Sequence, residues 1–257
     1  MLWASAVYLL FLVLWGFNYR RERLRDRMAF DPGAVTPAAA SKLASTSVEH
    51  LNGLHDAAHL EGWPRSGTID PTLASALDRA TRELGTSGRV VAGRPKRSLL
   101  DWYFRRAGVA GMTDPFFLET LVASDLLPFE RPLVVAHEWA HLAGLADEGE
   151  ANAVGWFICV QASPASQYSG WLFMFDEIVR VLPPAERAAL AGRLGPGPRA
   201  DLKAIRDRVA ASVNPRVAAA GWRVYDSYLK SNRVESGARS YDEVVQLALG
   251  LQILRTY

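Results

Sequence analysis

The sequence predicts a mainly helical protein with a minor β element. Stretches with helical periodicity cover most of the 257 residues, and capping residues stand at their starts. Short apolar and aromatic runs broken by glycine and proline follow residue 89, where we expect a small sheet or extended segments. An apolar run opens the chain and is expected to form a separate helix. Hydrophobic residues make up 49% of the chain, enough for one sizeable core.

The first segment, Leu2 to Phe17, is apolar except for Ser5 and carries a tryptophan near each end. Its length is at the short limit for crossing a bilayer, and aromatic ends favour the membrane interface. We therefore predict a single membrane span over residues 1–19 that contacts lipid. Five arginines between Arg20 and Arg27 outnumber two acids, which favours a cytoplasmic domain under the positive-inside rule.

Residues 20–35 are predicted to form a basic juxtamembrane segment and a linker, since the arginines are followed by proline and glycine. A single domain is expected over residues 36–257. Its first helix is predicted to be capped near Thr36, and a second, from Pro71 to Leu84, has Asp70 as its cap.

Two histidines of the first of these helices, His55 and His59, are four residues apart. This spacing places them on one helix face, where they could hold a metal ion. The neighbourhood is polar and includes Gly53, so we interpret the pair as part of a solvated helix face.

The middle of the chain carries the β signal. The runs RVVAG, SLLDWYF and FFLETLVASDL are expected to be extended. Phe116 to Ala123 is the candidate for a strand that would hold a substrate backbone, and a plain buried strand fits it equally well.

Charge and cysteine content exclude some function classes. The net charge is only +2 and the arginines are interspersed with acids, so we predict no nucleic-acid partner. The single cysteine, Cys159, excludes an intramolecular disulfide and lies in an apolar run, where a buried thiol is expected.

The strongest chemical signal is the HExxH pattern formed by His137, Glu138 and His141. On a helix the two imidazoles lie on one face and can bind one metal ion, and Glu138 is placed to take a proton from water at an open zinc position. Pro132 suits the first helical turn, and Gly144 suits a left-handed end. We predict a Zn²⁺ site; the alternative is a core helix with hydrogen-bonded histidines.

Several residues after the motif are candidates for the third ligand. Glu148 is favoured, because Asp147 is explained as the N-cap of a helix that begins at Glu148. Asp147 itself and Glu150 remain alternatives. Asn152, one turn after Glu148, is expected to orient a ligand histidine.

With these residues in view, the chain resembles a family of uncharacterised, membrane-anchored bacterial proteins regarded as zincin-like. The resemblance rests on LWGFNYRR at Leu14 to Arg21, HEWAHLAGLADEGEAN at His137 to Asn152, YSGWL at Tyr168 to Leu172, and VYDSYLKSN and GARSYDEVVQL between Val224 and Leu247. It implies a zincin-like core in a bacterial cell membrane and supports Glu148 and Glu150 as motif positions. It implies no substrate.

Together these observations predict a membrane-tethered zinc metallopeptidase acting on a peptide or protein, with Glu138 as general base. The oxyanion would need a hydrogen-bond donor, and Tyr168, Tyr228 and Tyr241 are the candidates. Two alternatives remain: a non-catalytic binding or regulatory module on a zincin fold, and a zinc hydrolase of a non-peptide amide.

Overall fold

A computed structural model describes residues 2–86, 90–221, 223 and 240–256. These residues are mostly helical, with one small antiparallel sheet, which confirms the predicted fold class of mainly α with a minor β element. The helices are α1 (Leu2–Leu14), α2 (Leu24–Arg27), α3 (Pro37–Glu61), α4 (Pro71–Glu83), α5 (Asp101–Ala107), α6 (Arg131–Leu142), α7 (Glu148–Val160), α8 (Pro164–Val181), α9 (Pro184–Arg193), α10 (Pro196–Ser212) and a C-terminal helix (Ser240–Gly250). Short 3₁₀ helices cover Gly16–Arg20, Pro32–Ala34, Pro128–Glu130 and Gln252–Thr256, and the strands are β1 (Gly111–Thr113) and β2 (Thr120–Val122).

Helix α7 lies at the centre of the domain. It packs against α6, α8, α4 and the C-terminal helix, and α3 packs against α8. Every residue of α7 except Glu148 and Asn152 is buried. Large aromatic side chains fill the core around it, and such side chains supply much of the burial energy of a domain; fully buried examples are Trp139, Trp156, Trp171, Tyr168 and Phe157. The buried thiol expected at Cys159 is confirmed.

The predicted helix starts are confirmed by their capping bonds. The Thr36 side chain accepts the Ala39 N–H, and the Asp70 carboxylate accepts the N–H groups of Thr72 and Leu73. These caps satisfy donors that the first helical turn leaves unpaired, so local chemistry alone sets these boundaries.

The extended structure predicted for SLLDWYF is wrong, since Asp101–Ala107 forms α5. A distant contact explains the difference: the buried Asp101 carboxylate at the start of α5 accepts the backbone N–H of Ser124 at 2.8 Å and its hydroxyl at 2.7 Å. The expected strand from Phe116 is shorter than predicted, because β2 begins only at Thr120.

The prediction of a single N-terminal membrane span is also wrong. Helix α1 ends at Leu14 after 13 residues. At about 1.5 Å per residue it reaches about 20 Å, against about 30 Å for the hydrocarbon core of a bilayer. Among the residues that the structure describes, no helix is long and apolar enough to cross a membrane.

The buried carboxyl of Glu177 on α8 provides a test of this core. Its Oε2 has no hydrogen-bond partner within the described part of the chain. Burial raises the pKa of Glu177 to about 7, and nearby Asp176 adds to the rise while Arg180 opposes it. The pKa of Glu177 is higher in the folded state than in the unfolded chain. Ionisation of Glu177 therefore destabilises the fold as the pH rises from the ordinary glutamate pKa to the raised pKa of the folded state.

We therefore expect Glu177→Gln to stabilise the protein by about 1–3 kcal/mol at about pH 8.5 and to have little effect at about pH 4. Urea unfolding of the variant and the wild type at both pH values measures this difference. An equal change in unfolding free energy at the two pH values would show that the carboxyl does not titrate as described.

Candidate metal centre

Three side chains from two helices meet at the start of α7. His137 and His141 project from α6, and Glu148 is the first residue of α7. The two Nε2 atoms are 3.0 Å apart, and Glu148 Oε2 lies 3.3 Å from His137 Nε2 and 3.6 Å from His141 Nε2. Tetrahedral zinc with bonds of about 2.0–2.1 Å has ligand atoms about 3.3 Å apart, so these donors fit a zinc ion.

The turn between α6 and α7 brings these donors together. Gly144 has a φ of +88°, a left-handed conformation that favours glycine, and it lets the chain reverse directly after α6. Asp147 caps α7 by accepting the Glu150 N–H, as predicted. A side chain at Gly155 would lie 3.0 Å from the backbone nitrogen of His137, so this glycine allows α7 to approach α6 closely beside the first ligand.

The hydrogen bonds of His141 direct its Nε2 towards His137. Its Nδ1 lies 2.6 Å from the Leu145 carbonyl oxygen, which can only accept, so Nδ1 is the donor and Nε2 of the neutral ring carries a lone pair. That lone pair faces Nε2 of His137. The buried Nδ1 of His137 has no partner among the described residues. Without a metal, His137 can donate its Nε2 hydrogen to this lone pair; with its hydrogen on Nδ1 instead, both Nε2 lone pairs would face one metal ion.

The electrostatics of the three groups agree with a site for positive charge. Burial lowers the pKa of His141, but the charge of Glu148 and its hydrogen bond outweigh burial and raise that pKa to about 9. Burial would raise the pKa of Glu148, whereas the two histidines hold it well below its usual range. The carboxylate is therefore ionised at neutral pH, as a metal ligand must be.

Glu138 lies on the same helix and is held by β1. Its carboxylate Oε2 and its backbone carbonyl oxygen each lie 2.9 Å from the Thr113 hydroxyl oxygen and share its one hydrogen. A Cβ at Gly111 would lie 2.6 Å from Glu138 Oε1, so a side chain there would displace this carboxylate. Burial raises the pKa of Glu138, although the two histidines oppose the rise. Such a carboxylate takes up a proton more readily than an exposed one.

The sheet presents one edge beside this carboxylate. Strand β2 is bonded on both sides, by β1 and by Lys96, whose N–H donates to Thr120 O and whose carbonyl accepts the Val122 N–H, each at 2.8 Å. The predicted substrate strand therefore has no open edge at these residues. Along β1, every second residue forms backbone hydrogen bonds with β2. Gly111 and Thr113 are the residues between, so their backbone N–H and C=O groups point away from β2. Within the described residues these groups have no backbone partner.

A model of a known protein family matches residues 1–249 of the chain. The chain belongs to the family "Protein of unknown function (DUF3810)". This result confirms the coarser part of the resemblance, membership of a family of unknown function. No curated protein and no solved structure matches the chain.

The other acids near the motif face elsewhere in this DUF3810 chain. Asp147 is the α7 cap, and Glu150 Oε1 accepts the Leu24 N–H at 2.6 Å. Burial, with Asp147 and Glu243 nearby, raises the pKa of Glu150 to about 7. Asn152 is half-buried and makes no hydrogen bond to either histidine within the described residues. Of the three acids, Glu148 is the one placed beside both imidazoles.

The structure describes the side chain of one candidate oxyanion tyrosine, Tyr168. Tyr168 is fully buried, and its hydroxyl donates to Asp201 at 2.6 Å in a different cluster. Burial and this carboxylate raise the pKa of Tyr168 above its usual range. Tyr228 lies outside the described residues, and for Tyr241 only the backbone, in the C-terminal helix, is described.

The N-terminal segment of the DUF3810 chain packs beside the centre, which the sequence analysis did not foresee. The buried Trp15 ring lies edge-on to His141, with 6.0 Å between ring centroids. Arg21 Nη1 donates to the Ala143 carbonyl at the end of α6 at 3.0 Å. The contacts of Thr113 and Gly111 with Glu138 were not predicted either. No local sequence pattern links these two residues to a helix that begins more than fifteen residues later and carries Glu138 more than twenty residues later.

Proposed function

We propose that this DUF3810 protein is a zinc-dependent metallopeptidase with a zincin-like core made of α6, α7 and β1. The observation that carries the proposal is the mutual spacing of His137 Nε2, His141 Nε2 and Glu148 Oε2, at 3.0–3.6 Å, beside a buried Glu138. Glu150 is bonded to Leu24 rather than directed at these donors, so the described residues offer three ligands and not a closed set of four. Three protein ligands are typical of catalytic zinc sites.

Each residue then has a defined task. His137, His141 and Glu148 would hold Zn²⁺, which when bound acts as a Lewis acid and lowers the pKa of water towards neutrality. Glu138 accepts the proton of the attacking water and transfers it to the leaving amide nitrogen as the peptide bond breaks. Thr113 keeps the Glu138 carboxylate oriented through its hydroxyl, and the Leu145 carbonyl keeps His141 in the tautomer that presents Nε2.

The open edge of β1 supplies a place for the substrate backbone. Gly111 and Thr113 direct their backbone groups away from β2, and Gly111 lies next to the Glu138 carboxylate. A peptide in extended conformation can pair with such an edge by main-chain hydrogen bonds. This pairing would bring a peptide carbonyl close to Glu138 without selecting particular side chains.

We expect peptide cleavage by the full chain to depend on the metal. Wild-type protein is incubated with a random peptide mixture, and products are identified by mass spectrometry before chelation, after removal of metal with dipicolinate, and after zinc is restored. Cleavage should be lost on chelation and return with zinc. Cleavage that survives complete metal removal, or no cleavage by zinc-loaded protein, would contradict the proposed function.

A further inference from the structure

A second group of metal-binding side chains lies outside the proposed catalytic centre. His55 and His59 of α3 face Asp201 of α10, and we call these three residues the α3–α10 cluster. Asp201 Oδ2 is 2.8 Å from His59 Nε2 and 3.7 Å from His55 Nε2. All three potential ligand atoms lie within 4.8 Å of one another. The polar helix face predicted from the sequence thus has a partner 142 residues further along the chain.

In the α3–α10 cluster, a ring nitrogen of His55 and a carboxylate oxygen of Asp201 face each other as two hydrogen-bond acceptors when the His55 ring is neutral. His55 Nδ1 lies 2.8 Å from the carboxylate Oδ1 of Asp56, which is its acceptor, so Nε2 of the neutral ring is left with a lone pair. This lone pair points to the same region as Oδ2 of Asp201, which is an acceptor too. A proton on His55 Nε2, or a metal ion between the two atoms, would turn this contact into an attraction.

Neighbouring side chains and helices hold the Asp201 carboxylate in place. Asp201 is only 8% exposed, although charged side chains are rarely buried without a partner. The Tyr168 hydroxyl on α8 donates to its Oδ2 at 2.6 Å. Gly197, at the start of α10, leaves room for the His55 ring, because a Cβ there would lie 2.3 Å from its Nε2. Three helices therefore converge on this group.

We propose that His55, His59 and Asp201 form a second binding site for a divalent transition metal, with Tyr168 as the outer partner that orients the Asp201 carboxylate. Two imidazoles and one carboxylate suit zinc and other first-row metals. The separation of 2.8 Å, a hydrogen bond between His59 and Asp201, and that of 3.7 Å lie on either side of the about 3.3 Å expected between zinc ligands. The metal would join α3 to α10, and its coordination would remain open to solvent on the side of the exposed His59.

The test is zinc stoichiometry in the full chain, measured by mass spectrometry after dialysis against zinc-buffered solution. We expect two zinc ions per wild-type chain and one in His59→Gln. The control is His50→Gln on the same helix, whose ring stacks on Trp171 and is not in the cluster; it should retain both. A double variant, His137→Gln with His141→Gln, removes the catalytic centre and should retain one zinc, which the further change Asp201→Asn should remove.

These variants separate the second site from the proposed function. If the catalytic centre does not bind zinc, the wild type holds one ion and His59→Gln still loses it. Cobalt substitution gives a second readout that depends on coordination, since the visible absorption of cobalt bound at the α3–α10 cluster should disappear in His59→Gln and persist in His50→Gln. Equal zinc content in His59→Gln and the wild type, with both chains folded by circular dichroism, would overturn the proposal. Loss of all zinc from the folded double variant would do so as well.

Discussion

Glu138→Gln is expected to lower kcat/KM for peptide cleavage by about 10²–10⁴-fold while leaving the zinc content unchanged. The amide has the shape of the carboxylate and its oxygen can still accept the Thr113 hydroxyl, so the local packing is preserved. An amide cannot take a proton from water, and that step is what the proposed mechanism assigns to Glu138. Cleavage kinetics on the best library peptide and metal analysis of the same preparation measure both quantities.

A matched control for this variant is Glu177→Gln, which makes the same substitution at a buried carboxyl on α8. It should cleave at the wild-type rate. If Glu138→Gln kept full activity, the general-base assignment would be wrong. If it lost zinc together with activity, Glu138 would have a structural role in the centre instead.

Glu148→Gln is expected to weaken zinc binding at the catalytic centre by more than the about 10–100-fold that is typical of outer-shell partners. Among the described residues, Glu148 provides the one carboxylate that lies within 4 Å of both imidazoles. Its pKa is held well below the usual range, so its negative charge is present at neutral pH. Competition with a chromophoric chelator measures the affinity, and the background variant His59→Gln removes the zinc of the α3–α10 cluster from the titration.

The control for this variant is Glu150→Gln, two residues along the same helix. Glu150 accepts the Leu24 N–H, and an amide oxygen can replace it in that bond. Zinc affinity should stay within about threefold of the wild type, since no ligand has been changed. The reverse pattern, with zinc lost in Glu150→Gln and kept in Glu148→Gln, would reassign the third ligand.

Local chemistry explains which features could be predicted from the sequence. The helix starts at Thr36, Asp70 and Asp147 follow from side-chain oxygens that accept the first free N–H groups, an interaction between residues three or fewer apart. The pairing of His137 with His141 follows from helical spacing alone. The prediction of Glu148 as the third metal ligand also rests on local chemistry, because the N-cap role explains Asp147 without a metal ion.

Helix and strand choices failed where a distant group decided them. Asp101, the first residue of α5, is bonded to Ser124, which no window around residue 101 contains. The N-terminal apolar run resembled a membrane span by composition, but its helix ends at Leu14 and the following Trp15 is buried beside His141. In both cases long-range contacts outweigh the local pattern.

By itself, the amino-acid sequence determined the mainly helical fold class, the capped helix starts and the HExxH pair, since each depends on residues within about one turn of a helix. Only the tertiary structure decided that, among the described residues, the backbone of β1 rather than that of β2 lacks partners on one side, and that His55 and His59 meet Asp201. Both arrangements depend on how whole helices and strands pack. Packing brings together residues that are far apart in the sequence, so no local sequence pattern indicates such contacts.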